Sequence, residues 1–249
     1  MASRRSRGSG SRIRGGRWPV PWLIAAAVTM SASVAFAASL PLASQNLTVY
    51  RTCYLWPTSG TDTAEYDSYV SQQNGTTNYG TSASLSVATQ NNKNMRTYLR
   101  FDLTLCSPAL PTTASAIKQA TLRLYASAVP TSCRTYDIFA VTASWTETGI
   151  TWNNQPFGTA INNPASSQRT SYITIGTPGG CQNTAAGWVN GWDVTVDVRN
   201  FASGAGTNYG WMIRDDVEGN SSAISTTFAS QEDTTSPSRK PPLIITYQT

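Results

Sequence analysis

The sequence predicts an antiparallel β-sandwich of jelly-roll type, with at most one or two short helices. Three observations lead there. From about residue 47 to the end, short segments alternate apolar and polar residues; clusters of Gly, Pro, Asn and Ser separate them; and only one stretch carries a helical spacing.

The first strand expected is LTVYRTCYL (47–55), followed by SLSVAT (84–89). The clearest is MRTYLRFDL (95–103), in which Thr97, Leu99, Phe101 and Leu103 alternate with Arg96, Tyr98, Arg100 and Asp102. In QATLRLYASA (119–128), Ala120, Leu122, Leu124 and Ala126 share one face, and Thr121, Arg123 and Tyr125 the other. TYDIFAVT (135–142), SYITI (171–175), YGWMIRD (209–215), AISTTFAS (223–230) and PLIITYQ (242–248) complete nine strands. DVTVDVRNFASG (193–204) places Val194, Val198 and Phe201 at i, i+4 and i+7, predicting a short helix capped at Thr195 and ended by Gly204. Val194, Val196 and Val198 also alternate, so a strand stays open there. Ser144 and Glu147 have capping-box spacing, which predicts a single helical turn.

The tetrapeptide TNYG occurs at 77–80 and again at 207–210, each time just before a strand. Little else is shared around the two copies. Asn followed two residues later by Gly fits a turn that bonds back to its own backbone, so Asn78 and Asn208 are expected to shape turns rather than mark a duplication.

Six of the 18 basic residues lie within the first 17 positions, leaving a nearly neutral remainder of 12 basic and 13 acidic residues. That balance gives no footprint for nucleic acid. The Arg-rich start runs into WPVPWLIAAAVTMSASVAFAA and a small-x-small triplet, Ala35-Phe36-Ala37, the order of a secretory signal peptide. The expectation is residues 1–37 as signal, 38–249 as one β-sandwich domain, and an extracellular or cell-surface location with no membrane attachment after cleavage. An uncleaved anchor is the alternative. Cys53, Cys106, Cys133 and Cys181 then read as two disulfides, with Cys106–Cys133 and Cys53–Cys181 the favoured pairing among three.

The chain contains no His, which excludes Ser-His-Asp and Cys-His catalysis and His-ligated zinc. Asp102, Glu147, Asp193 and Asp197 could supply a glycosidase-type carboxylate pair, but no two have a diagnostic spacing. A non-catalytic protein without a cofactor is expected. RDDVEGN (214–220) gathers Asp215, Asp216, Glu218 and Asn220, oxygen donors of the kind that hold calcium, although an acidic hairpin tip is the plainer reading. Arg96, Tyr98, Arg100, Arg123 and Tyr125 form the expected ligand-binding face: Arg pairs with carboxylates and aromatic rings stack on sugars. Cross-strand pairing of those arginines with acids is the alternative. Trp145, Trp152, Trp188, Trp192 and Trp211 are expected mainly in the core.

Ten motifs in order extend across most of the chain after residue 66: DSYV (67–70), NYG (78–80), LRFDL (99–103), ATLRLY (120–125), SWTE (144–147), ITWNNQP (150–156), WDVT (192–195), NYG (208–210), FASQE (228–232) and PPLIITY (241–247). Together they resemble the DNRLRE or disaggregatase-related domain, part of which is classed as carbohydrate-binding module family 96. The resemblance implies a secreted or surface jelly roll, accessory to enzymes or other surface domains, with acidic polysaccharide such as alginate bound by some members. The function expected is binding of extracellular or cell-wall polysaccharide. A structural or adhesive protein with a protein partner and a polysaccharide-cleaving enzyme are the alternatives; the oligomeric state stays open.

Overall fold

The computed structural model describes residues 48–57 and 65–249; the expected signal segment lies outside the described residues. Two antiparallel sheets face each other across one large core. The smaller has the order β1 (Tyr50–Leu55), β13 (Leu243–Gln248), β5 (Ile117–Leu122), β10 (Trp192–Asp193). The larger runs β8 (Ser171–Ile175), β7 (Arg134–Ala140), β11 (Trp211–Asp215), β4 (Met95–Phe101), β3 (Ser84–Thr89), β12 (Ile224–Ala229), β6 (Tyr125–Ala128), β9 (Gly187–Trp188). On its other side β4 also pairs with β2 (Glu65–Ser71), from Glu65 opposite Phe101 to Ser71 opposite Met95. The all-β sandwich and all nine expected strands are present.

Period-two alternation explains the core. Leu99 and Phe101 of β4, Ile138 of β7 and Ile213 of β11 point between the sheets with Leu85, Val87, Leu122, Phe228 and Ile245, all fully buried. The run 119–128, expected as one strand, breaks at Arg123-Leu124. Its first half pairs in the small sheet and its second in the large one, so the chain changes sheets at a corner while Ala120, Leu122, Leu124 and Ala126 stay buried. One helix, α1 (Thr195–Ser203), closes one side, and Gly204 ends it in the left-handed conformation at φ 76°. Its helical conformation begins after Val194, and the capping oxygen comes from Asp193, which accepts from the Thr195 backbone N–H at 2.9 Å. The expected capping box at 144–147 is absent. Glu147 reaches the Asp67 backbone instead, and a single turn forms with the Ile150 N–H donating to the Thr146 carbonyl.

The large sheet also carries a smaller core on its outward face, built from Val70, Tyr98, Phe139, Met212, Trp145, Ile150 and Trp152. The segment 141–164 folds over strands β2, β4, β7 and β11 to make it. Segment and sheet are fastened by the two TNYG turns. Asn78 Nδ2 donates to the carbonyls of Glu147 and Ile150, both at 2.7 Å, while its Oδ1 accepts from Gly80 N–H at 3.1 Å. Asn208 Nδ2 donates to the Phe101 carbonyl at 2.8 Å, and its Oδ1 accepts from Gly210 N–H at 3.1 Å. A β-carbon at Gly210, whose φ is +77°, would stand 2.0 Å from the Leu99 carbonyl oxygen, so only glycine permits this approach.

The disulfides are Cys53–Cys106 and Cys133–Cys181, with Cα separations of 5.5 and 5.7 Å. The favoured sequence pairing is therefore corrected. Cys106 lies against β1 of the smaller sheet, where Cys53 stands, whereas Cys133 immediately precedes β7 of the larger sheet. Cys181 instead reaches Cys133 because β8 ends beside the start of β7, where Ile175 pairs with Arg134.

Candidate functional site

The five residues expected on one binding face separate into three environments. Arg96 and Tyr98 lie on the outward side of β4, as the alternation requires, but segment 141–164 covers them completely. Arg96 Nε and Nη2 donate to Glu218 Oε1 and Oε2 at 2.7 and 2.8 Å. Its remaining contacts are Gln155 Oε1 at 3.1 Å, the Gly158 carbonyl at 3.1 Å and the Ala160 carbonyl at 2.6 Å, and its guanidinium lies 4.6 Å from the centroid of the Trp152 ring. Tyr98 donates to Gln155 Oε1 at 2.9 Å, and burial raises its phenol pKa well above the usual value. Neither residue meets solvent.

Arg100, next on the same face, is half-buried and reaches the edge of that cover. Its guanidinium lies 4.5 Å from the Tyr66 ring centroid and 5.9 Å from that of Trp145. It lines an open groove of about 600 Å³ with Tyr66, Asp102, Leu110, Phe201 and Asn208. That volume suits a sugar unit.

Arg123 and Tyr125 stand at the corner where the chain changes sheets, in a cluster of aromatic and basic side chains. Tyr125 pairs across the ladder with Trp188, ring centroids 5.6 Å apart in a T-shape, and Trp56 lies 5.8 Å from Trp188. Arg123 stands 5.3 Å over Trp188, and Arg239 4.7 Å over Tyr125. All five are half-buried. The ion pairs among the described residues are made by Arg96, Arg134 and Arg169. Arg123, whose Nε donates to the Val189 carbonyl at 3.2 Å, and Arg239 thus meet no carboxylate among the described residues, beside rings that give an apolar platform. Trp188 and Arg239 carry no period-two signal that would single them out, because β9 has two residues and Arg239 lies in a turn.

The other tryptophans expected in the core are there. Trp145, Trp152, Trp192 and Trp211 are buried; Trp145 donates to the Tyr209 carbonyl, Trp192 to the Tyr136 carbonyl and Trp211 to Asp197 Oδ2, all at 2.8 or 2.9 Å. Of the acids considered for a catalytic pair, Asp102 accepts from Thr104, Asp193 from Thr195, and Asp197 from Thr170 and Trp211. Glu147 alone joins other carboxylates. In the 214–220 stretch, Asp215 pairs with Arg134 and Glu218 with Arg96, so arginines already hold the oxygens that a calcium ion would need there.

A family model described as carbohydrate-binding module family 96 matches residues 59–247. The chain belongs to this family. Comparison with curated proteins finds no significant match. The match covers every strand of the module from β2 onward and includes the arginine–aromatic cluster apart from Trp56.

Proposed function

We propose that the module is exported, lacks catalytic activity, and holds acidic extracellular or cell-wall polysaccharide at the corner formed by Arg123, Tyr125, Trp188 and Arg239. One observation carries the reading: two guanidinium groups with no carboxylate partner among the described residues alternate with aromatic rings on a half-exposed surface. A uronate offers the complement, a carboxylate for the fork of Arg and a sugar face for a ring. Two disulfides support export, since such bonds persist in oxidising compartments.

Affinity electrophoresis through gels containing a polyuronate, with a neutral glucan as control, tests it. The expected result is retardation by the polyuronate, weakened by salt, with each of R123A and R239A costing about tenfold or more in affinity at unchanged melting temperature. Loss of binding in R100A but not in R123A or R239A would move the contact to the 600 Å³ groove. No retention by any acidic polysaccharide, together with capture of a protein by the same surface, would replace the reading with an adhesive one.

A further inference from the structure

Three carboxylates from three separate segments meet beside the large sheet. Asp67 of β2, Glu147 of segment 141–164 and Glu232 of the turn after β12 each offer an oxygen within 4.8 Å of the others. Asp67 is buried and the other two are half-buried. Some of their oxygens are engaged: the Asp67 backbone N–H donates to Glu147 Oε1 at 3.0 Å, the Gln231 backbone N–H to Asp67 Oδ2 at 2.8 Å, and the Gln231 side-chain amide to Glu147 Oε1.

A fourth acid makes the arrangement incomplete as protein alone. Glu65 lies two residues before Asp67, on the same face of β2. It is fully buried, and neither of its carboxylate oxygens has a hydrogen-bond partner. Asp67, Glu232 and Glu147 all act on it electrostatically, which places it with the other three. Glu232 Oε2 and Gln231 Oε1 also lack partners. Lys240 acts on Glu65 and Arg100 on Glu147, yet neither takes part in an ion pair among the described residues. Buried carboxylate oxygens without partners are costly for a fold to hold.

We propose that Asp67, Glu147 and Glu232, with Glu65 behind them and the Gln231 side-chain carbonyl beside them, bind one calcium ion. Every donor is oxygen and the chain has no His, which favours a hard cation over zinc. Calcium accepts six to eight oxygens in irregular geometry, whereas magnesium demands a near-ideal octahedron that donors from three unrelated segments do not supply. The ion would clamp β2, segment 141–164 and the β12–β13 connection together. Trp145, two residues from Glu147, is the ring beside Arg100, so the clamp would also steady one wall of the groove.

The test dialyses the intact protein against EDTA, then follows calcium by isothermal titration, metal analysis and thermal melting. The expected result is one calcium per chain and a melting temperature several degrees higher at saturation, with magnesium at equal concentration giving a much smaller shift. E232Q, at a half-exposed position, should weaken calcium about tenfold or more while R123A leaves it unchanged. No heat and no melting shift up to about 10 mM calcium would overturn the proposal, as would wild-type calcium affinity in both E232Q and D67N. The wild-type titration decides the question even if D67N does not fold. Polyuronate retention after EDTA treatment is read separately, so failure of the calcium site and failure of the polysaccharide site remain distinct.

Discussion

Replacing Arg96 by Met separates a structural arginine from a ligand-binding one. Met keeps much of the stem that packs against Trp152 but removes five donated hydrogen bonds, two of them to the Glu218 carboxylate. Glu218 would keep the Asn162 N–H at 2.7 Å, yet both partners of the lost pair have fully buried side chains, so the carboxylate would be left buried without its countercharge. Breaking a buried pair by removing one partner costs about 3–5 kcal/mol. For a domain of this size that lowers the melting temperature by about 6–20 °C. Thermal and urea melts followed by tryptophan fluorescence measure it. The double variant R96M/E218L, with no orphaned charge, should recover most of the loss. Well below the melting range, polyuronate retention by R96M should equal that of the parent. Melting within about 2 °C of the parent, with retention abolished, would refute this reasoning and return Arg96 to the ligand surface.

Loss of Asn208 in N208A removes the bonds to the Phe101 carbonyl and Gly210 N–H, and should cost about 1–3 kcal/mol in a urea melt. G210A should cost more than N208A, because a β-carbon there meets the Leu99 carbonyl at 2.0 Å; equal or smaller destabilisation would contradict the close approach. The disulfides close loops with sequence separations of 53 and 48 residues. Serine replacement of either pair should lower stability by about 4 kcal/mol on a chain-entropy basis, and non-reducing peptide mapping should recover Cys53 with Cys106 and Cys133 with Cys181.

The strands that bury one face were readable because alternation is what a sandwich imposes on its inner layers. β2 was not read as a strand. Glu65, Asp67, Ser68 and Ser71 place polar groups on both its faces, so no hydrophobic period survives, although its DSYV was one of the motifs carrying the family resemblance. The same segment supplies half of the carboxylate cluster, whose remaining members lie in SWTE and FASQE. Those motifs were legible as markers of a family but not as one place, because residues 67, 147 and 232 meet only through the fold. The outward face of β4 misled for a related reason. Alternation tells which side of a sheet a residue occupies, not whether another segment covers that side, and 141–164 covers Arg96 and Tyr98 but ends short of Arg100. Arg123 and Tyr125 were visible as a pair in one run, whereas Trp188 and Arg239 join them through short or irregular pieces with no pattern of their own.

The cysteines are bonded in consecutive pairs along the chain, first with second and third with fourth. A polypeptide threaded amino end first into an oxidising space would present Cys53 and Cys106 together before either later thiol emerged. The earliest pair able to react is then also the native one, and the second closes without competition from the first. Such a chain can acquire both covalent links in the order of its emergence.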